Sequence, residues 1–554
     1  MVAINSSGYN TPNSDIESPL SVHPTASRRS QYITVHSDNT AYTDDYITSK
    51  FVSRGAQVVV NGDGQHLVQP TAQTFEFQTE RNVGRTGLML IGMGGNNGST
   101  LCATILANNH NITWHTKEGL QQPNYIGSML RASTVQLGTD PASGKEIHVP
   151  VCDVLPMVHP NDLVLGGWDI SGMSMDKAMQ RAQVLDYDLQ RQVAPHMALI
   201  GKPLPSIYYP DFIAANQEER ADNLIPGENK QAHLDHIRSD IRKFKFHNGL
   251  DRIVVFWTAN TERYSDIIPG VNDTADNLLA AIKASHSEVS PSTIFAVASI
   301  LEGEPFVNGA PQNTFVPGVI ELAERHKSFI GGDDLKSGQT KFKSVLAEFL
   351  VNAGIKPLSI ASYNHLGNND GRNLSAERQF KSKEISKSSV VDDMVNANRL
   401  LYNPPELNAK GLPQGKGEHP DHIVVIKYVP AVGDSKRAID EYYSEIFCGG
   451  RSTINVFNEC EDSLLATPLI LDLTILTELL TRVKYRNVSA GVKEFAPLYP
   501  VLSLLSYMLK APLVKPGTDV INSLNRQRNA LEAFLKACVG LEGNTDLLLH
   551  TRIW

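Results

Sequence analysis

Large apolar side chains are scarce over the first fifty residues and then recur in two different rhythms. Residues 1–50 are rich in Ser, Thr, Asn and Asp, a composition that buries too little apolar surface to order a chain, so a flexible tail is predicted there. The runs "FVSRGAQVVV" and "QTFEFQTE" carry β-branched and aromatic residues on either side of "NGDGQ", which predicts a hairpin. From Thr86 onward, short apolar runs bounded by turn residues alternate with longer segments of helical period. "TGLMLIG", "DLVLGGWDIS", "DRIVVFWTAN" and "STIFAVASIL" are predicted as strands, and "DKAMQRAQVLDYDLQRQV" as one helix. That alternation is the mark of an α/β fold with a parallel sheet and crossover helices.

Near residue 340 the rhythm changes. A helix "KFKSVLAEFLVNAG", a strand "PLSIASYN", a polar lysine-rich segment, a strand "HIVVIKYVP" and a helix "AIDEYYSEIF" predict a second domain. Residues 403–421, dense in Pro, Gly and charge, read as an exposed, flexible insertion that tolerates change. The C-terminal region, from "LLATPLILDLTILTELLTRV" to "LNRQRNALEAFLKACV", is helical by period, and no internal repeat is detectable.

Composition narrows the function classes. A chain of 554 residues with a net charge of -9 is unlike the basic domains that bind nucleic acid. Cys102, Cys152, Cys448, Cys460 and Cys538 form no CxxC pair, which points away from a zinc cluster or disulfide framework and toward a reducing compartment. The N-terminus lacks a secretory pattern, and the strongest apolar runs are interrupted by Asp472 and Lys510, so a cytoplasmic protein that does not span a membrane is expected.

Two glycine-rich stretches hold the candidate chemistry. In "LIGMGGNNGST", Gly92, Gly94 and Gly95 follow a strand and precede a helix, the context in which glycines let a backbone touch a pyrophosphate and the helix N-terminus offers roughly +0.5 of charge. Asn97 stands where the third glycine of the usual pattern falls, and Gly98 follows it. Glu118 is a poor candidate for the acidic residue expected about 20 positions on, so the motif does not itself separate NAD from NADP. The plain alternative is a tight packing turn.

In "GGDDLKSGQTKFKS", Ser337, Gly338, Gln339 and Thr340 open a helix; alone the stretch reads first as an ordinary cap and second as a phosphate cradle. Lys381, Lys383, Lys387, Lys436 and Lys510 would ordinarily be solvated, but Lys510 lies in what reads as an apolar helix, where an ammonium needs a carboxylate or phosphate partner. Clustered ammonium groups also lower one another's pKa, which suits base catalysis.

"GMGGNNGST", "LPSIYYPDFIAANQ", "FWTANTERY", "EGEPFVNGAPQNTFVPG", "GDDLKSGQTKFKS", "SIASYNHLGNNDGRNLSA" and "VGDSKRAIDEYYSEI" together make the chain resemble the eukaryotic, fungal-like myo-inositol-1-phosphate synthases from about residue 50 to about residue 540. Only the N-terminal tail and the 403–421 insertion depart from the pattern. The resemblance implies a Rossmann-like NAD-binding domain over 86–335, an α+β catalytic and tetramerisation domain over 336–461, and a central domain formed by 51–85 and 462–554. It implies an isomerase, acting at the first committed step of inositol biosynthesis, that converts D-glucose 6-phosphate to 1D-myo-inositol 3-phosphate. NAD oxidises C5, C6 loses a proton, the enol attacks the C1 aldehyde, and the same cofactor reduces the ring ketone.

By resemblance, Gly92, Gly94, Gly95, Asn96, Asn97, Asp169, Ser206, Gln217, Arg220, Thr258, Ala259, Asn260, Thr261, Gly309, Asp334, Asn368, Asn369, Asp370 and Asp434 face NAD. Ser337, Gly338, Gln339 and Thr340 then cradle the sugar phosphate, reversing the order of the two readings, and Asn368, Leu374, Lys383 and Lys436 also contact substrate. Lys383 is the implied proton-transfer group at the C5 oxygen, with Lys387, Lys436 and Lys510 stabilising oxyanions, Asp334 near the nicotinamide anchoring a cation or positioning a lysine, and Asp462 orienting one of the lysines. No metal ligand is implied, and the family forms homotetramers. A sugar-phosphate dehydrogenase that accumulates NADH and a noncatalytic NAD-binding regulator are the competing readings.

Overall fold

The computed structural model describes residues 33–409 and 413–543. Six parallel strands carry the first glycine stretch: β1 (Thr86–Ile91), β2 (Val164–Asp169), β3 (Leu204–Pro205), β4 (Arg252–Trp257), β5 (Phe306–Asn308) and β6 (Ile330–Gly331). Their order is β3-β2-β1-β4-β5-β6, the doubly wound arrangement whose direction reverses between β1 and β4. Every residue of β1 is buried, as a central strand covered on both faces requires. The reversal leaves a crevice beyond the carboxyl ends of β1 and β4, where a glycine turn leads into α1 (Asn96–Asn109).

Two expectations for this region change. "DKAMQRAQVLDYDLQRQV" forms two helices, α2 (Met175–Ala182) and α3 (Tyr187–Ile200), because the chain turns left-handed at Gln183 with φ 53°. "STIFAVASIL" is a helix, α4 (Pro291–Leu301), and not a strand. Its residues from Pro291 to Ile300 are all buried, which erases the polar stripe that reveals a helix, while Ser290 caps its start by accepting from Thr293 N–H.

The second sheet follows α5 (Gly338–Asn352) and comprises β7 (Lys356–Leu366), β8 (Asp421–Tyr428), β9 (Ser435–Glu445) and β10 (Arg451–Glu461), in the order β8-β7-β9-β10. Between β7 and β8 lie three short helices, α6 (Asn369–Asn373), α7 (Glu377–Ser388) and a further one at Asp392–Ala397. "AIDEYYSEIF" is therefore mostly strand β9 and not a helix: Ala438, Asp440, Tyr442 and Ser444 point inward, and two of these four are polar. The described part of 403–421 is largely exposed but anchored, with Glu418 accepting from Asn403 N–H at 3.0 Å and pairing with Lys356, while Lys416 pairs with Asp392.

A third sheet joins both chain ends. The strands Tyr46–Val60 and His66–Glu80 form the expected hairpin, with Val60 opposite His66, and Val483–Asn487 pairs antiparallel with the second of them. The predicted tail is thus corrected over 33–50: Ile47 and Ser49 are fully buried, and Ser49 Oγ donates to Ala537 C=O at 2.7 Å. An isolated Ile among polar residues is enough for one face of a strand, but too little to register as an apolar run. Residues 1–32 lie outside the described residues.

Helix α8 (Asp462–Thr481) links this sheet to the site and is long and apolar enough to cross a membrane, but most of it is packed inside the chain. Its buried Asp472 is satisfied by Ser128 Oγ and Met129 N–H at 2.5 Å each. The last helix is α9 (Leu524–Ala537). Lys510 does not lie in a helix, as its neighbours suggested, but just beyond a 3-10 turn at Ser503–Met508.

Candidate active site

The turn after β1 is built by steric necessity. Gly92 has φ 87°, and a Cβ there would lie 2.6 Å from the Cα of Ala259. At Gly98 a Cβ would lie 2.4 Å from Met93 C=O, so this residue does the close-packing work of the displaced third glycine. Gly95 occupies the cap position of α1 and offers no side chain to the first-turn N–H groups, leaving them open to an anion. Asp169, at the end of the neighbouring strand β2, accepts from Gly94 and Ser171 N–H at 2.9 Å each. The sheet, and not sequence spacing, brings Asp169 beside the glycine turn. Burial raises its carboxyl, opposed by these two N–H groups and by Arg220 and Arg181. The glycine cradle, the open helix end and this carboxylate fit NAD.

The opposite wall comes from α6. Thr261 donates to Asp370 Oδ1 through N–H and Oγ1, Asn369 donates to Gln217 at 3.0 Å, and Asn368 caps α6 while donating to Asp462 at 3.2 Å. One cleft is lined by Gly92, Gly95, Asn96, Asn97, Asp169, Ser206, Arg220, Thr258, Ala259, Asn260, Thr261 and Gly309 on the dinucleotide side. It is also lined by Asp334, Ser337, Asn368, Asn369, Asp370, Lys383, Lys436, Asp462 and Lys510.

At the base of the cleft, residues 333–336 run antiparallel to 508–511. Asp333 N–H donates to Ala511 C=O at 2.7 Å, Lys510 N–H to Asp334 C=O at 2.8 Å and Lys336 N–H to Met508 C=O at 2.8 Å. This backbone rib brings Asp334 and Lys510 together from distant parts of the sequence. Asp334 Oδ1 accepts from Lys383 Nζ at 2.9 Å and Lys510 Nζ at 3.3 Å, while Oδ2 accepts from Ser386 Oγ at 2.7 Å. Lys383, Ser386 and Lys387 share the inward face of α7, so its buried face is polar and its sequence looks like a solvated helix.

The charges are unequal in consequence. Burial alone would raise the Asp334 carboxyl, but the Lys383 and Lys510 ammonium groups outweigh it and hold the group well below the usual carboxylate range. Burial likewise opposes the Lys383 ammonium, yet Asp334 holds its pKa above the ordinary value. Lys510, farther from the shared oxygen and close to Lys383 and Lys436, is pushed down by burial to about 7. Lys387 falls well below its ordinary value through burial and the four neighbouring ammonium groups of Lys436, Lys510, Lys343 and Lys383. Lys436 pairs with Asp462 at 3.4 Å.

Several expected site residues stand behind the lining. Asp434 accepts from Asn96 Nδ2 at 3.2 Å and from Ser463 N–H and Oγ, and burial raises it to about 6. Gly94 and Gln217 support the dinucleotide side through the bonds described, and buried Leu374 ends α6. Ser337 is the cap residue of α5 but makes no side-chain cap bond; Gly338 has φ 30°, and Gln339 and Thr340 are buried in the same turn. Lys387 donates to Gln339 Oε1 at 2.9 Å and Asn364 Oδ1 at 3.2 Å. Sequence reasoning missed Ser386, Ser463, Asn364 and Arg181, which donates to Gly94 C=O at 2.5 Å. Ser386 alone had a legible signal, three positions beyond Lys383 on one helix. Among the described residues, no group of three or more His, Cys, Asp or Glu side chains is placed to hold a metal ion.

A doubly wound sheet whose glycine turn opens onto buried lysines and carboxylates defines an NAD-using α/β enzyme that holds substrate and cofactor in one cleft. Residues 86–536 match the NAD-binding family model described as myo-inositol-1-phosphate synthase. The chain belongs to the myo-inositol-1-phosphate synthase family. It is 54% identical to inositol-3-phosphate synthase of Dictyostelium discoideum over 519 residues, covering 94% of this chain and 98% of the relative. The Saccharomyces cerevisiae inositol-3-phosphate synthase is likewise 54% identical, over 534 residues, 94% of this chain and 98% of the relative. The crystal structure of the Caenorhabditis elegans inositol-3-phosphate synthase superposes with a TM-score of 0.88 at 53% identity, covering 93% of this chain and 98% of that one.

Proposed function

We propose that this chain converts D-glucose 6-phosphate to 1D-myo-inositol 3-phosphate, using NAD and returning it. The observation that carries this reading is the convergence in one cleft of the dinucleotide turn, Ser337 at the start of α5, and lysines sharing the Asp334 carboxylate. When bound, NAD supplies the hydride acceptor and afterwards the hydride donor. The open N-terminus of α1 binds the pyrophosphate, and Asp169 orients a ribose. The turn from Ser337 to Thr340 holds the sugar phosphate.

Within that frame the four lysines divide by charge. Lys510, pushed down to about 7 by burial, takes the proton of the C5 hydroxyl; Lys383, kept ionised by Asp334, steadies the C5 oxygen. This moves the proton-accepting role from Lys383, an ammonium too well held to act as a base, to its neighbour on the same carboxylate. Lys387, whose ammonium is disfavoured, removes the C6 proton, and Lys436, oriented by Asp462, donates to the C1 oxygen as the ring closes. Closing the cleft to water protects the open ketone.

The three sheets support a division into a dinucleotide domain (86–335), a catalytic domain (336–461) and a central domain from both ends, which over the described residues comprises 33–85 and 462–543. We assign a homotetramer assembled through the second sheet, whose outer face exposes Tyr363, Ile439 and Phe457 in one cross-strand row, with Ile423 exposed opposite Ala361 beside it. Five unpaired cysteines suit a reducing compartment, and the cytoplasm is the assigned location. The test is glucose 6-phosphate with substoichiometric NAD. Inositol phosphate in large excess over cofactor, seen by phosphorus NMR with no lasting absorbance of reduced cofactor, is the expected result. One NADH per substrate would make the enzyme a dehydrogenase, and no turnover would leave a regulator.

A further inference from the structure

The buried carboxylate of Asp440 lies behind the phosphate turn and belongs to none of the groups given a role above. It sits on β9, four residues from Lys436 and on the same inward face, with 2% of its surface exposed. Gln339 Nε2 donates to Asp440 Oδ1 at 2.8 Å, and Gln339 Oε1 accepts from Lys387 Nζ at 2.9 Å. A side-chain amide has one donating and one accepting end, and a carboxylate can only accept. Asp440 therefore dictates which end of Gln339 turns toward Lys387.

We propose that Asp440 is a positioning residue for the sugar-phosphate turn, locking the Gln339 amide so that its oxygen holds Lys387 at that turn. This rests on the phosphate-cradle reading above and deepens it. Both acceptors of Lys387 are amide oxygens, those of Gln339 and Asn364, so the two amides together engage its N–H groups and leave the nitrogen lone pair to take the C6 proton. With the Gln339 amide reversed, its N–H groups would face that nitrogen and occupy the lone pair the proton transfer needs. The same carboxylate supports a second cation: Lys343, one turn beyond Gln339 on α5, is pushed down by burial to about 8, with Asp440 opposing the fall. Lys343 Nζ donates to His422 Nε2 at 2.8 Å, and His422 Nδ1 donates to Ser388 C=O at 3.2 Å, a pairing that fixes the imidazole tautomer. Asp440 thus binds α5 to β9, while His422 ties α5 to the residue after Lys387. In Asp440→Asn the amide can offer either end, and the orientation of Gln339 is no longer imposed.

The experiment is a double-mutant cycle of Asp440→Asn, Gln339→Met and the pair, with KM for glucose 6-phosphate, kcat, NAD affinity and melting temperature measured for each. Asp440→Asn is expected to fold, to bind NAD within about twofold of the wild type, and to raise KM about tenfold with a smaller fall in kcat. Gln339→Met is expected to match it, and the pair to be no worse than the poorer single variant, because both remove one interaction. A KM within about twofold of wild type, multiplicative effects in the pair, or an Asp440→Asn chain that does not fold would each overturn the assignment. Turnover by the wild-type chain tests the parent reading separately: a wild type that makes no inositol phosphate defeats that reading, whereas active wild type with additive variants defeats only this one.

Discussion

At the scale of the residue, one oxygen of the Asp334 carboxylate serves two lysines unequally, and the proposed chemistry rests on that inequality. Lys383→Ala should lower kcat by about 100-fold or more while NAD affinity, measured by calorimetry, stays within about twofold. A parallel loss of NAD affinity would instead make Lys383 a cofactor ligand. The pH dependence follows from Lys510, pushed down to about 7 by burial. Below that value its nitrogen carries the proton and cannot accept another; above it the lone pair is free. The acid limb of kcat/KM should therefore rise about tenfold per pH unit and level off above neutrality, and Lys510→Ala should lose that limb along with most activity. An acid limb that persists in the variant would assign the titration elsewhere. The lysines and the adjacent aspartates were visible in the sequence as a cluster of polar types, and the resemblance supplied their roles. Their inequality was not visible, because it depends on a backbone rib joining residues about 175 positions apart, as Asp334 and Lys510 are.

Among the elements, the β1–α1 turn was the most legible, since strand, glycines and helix are contiguous and the steric demands are local. Gly98→Ala tests it: the added Cβ would lie 2.4 Å from Met93 C=O, so the helix must move off the strand. NAD affinity is expected to fall about tenfold and stability by about 1–3 kcal/mol, read by calorimetry and thermal melting. Unchanged NAD binding would show that close approach at this point is not needed. Elements failed to read correctly where burial and polarity part company. Helix α4 is buried on every side and mimics a buried strand; β9 turns Asp440 and Ser444 inward and mimics a helix; α7 buries serines and lysines and mimics a surface segment. In the latter two cases the inward polar residues are those that hold Gln339, Asp334 and the lysines, so the local pattern was lost where function required it.

Over the whole molecule, the sheet that joins both chain ends had no local signature, because the pairing of Val483–Asn487 with His66–Glu80 spans most of the sequence. The α/β class was legible from alternation alone. The assembly has a direct test in Phe457→Glu, which places a charge in the exposed row beside Ile439 and Tyr363. Sedimentation should show the proposed tetramer of the wild type giving way to smaller species in the variant; an unchanged assembly would remove this face from the interface. The central claim, that a hydride is returned to the molecule that gave it, is tested most directly by a crossover experiment. A mixture of glucose 6-phosphate deuterated at C5 and unlabelled glucose 6-phosphate carrying carbon-13 elsewhere is turned over with substoichiometric NAD, and the products are examined by mass spectrometry. Deuterium retained only in molecules without carbon-13 is the result this account predicts; deuterium scrambled between the two populations, or accumulated on the cofactor, would contradict it.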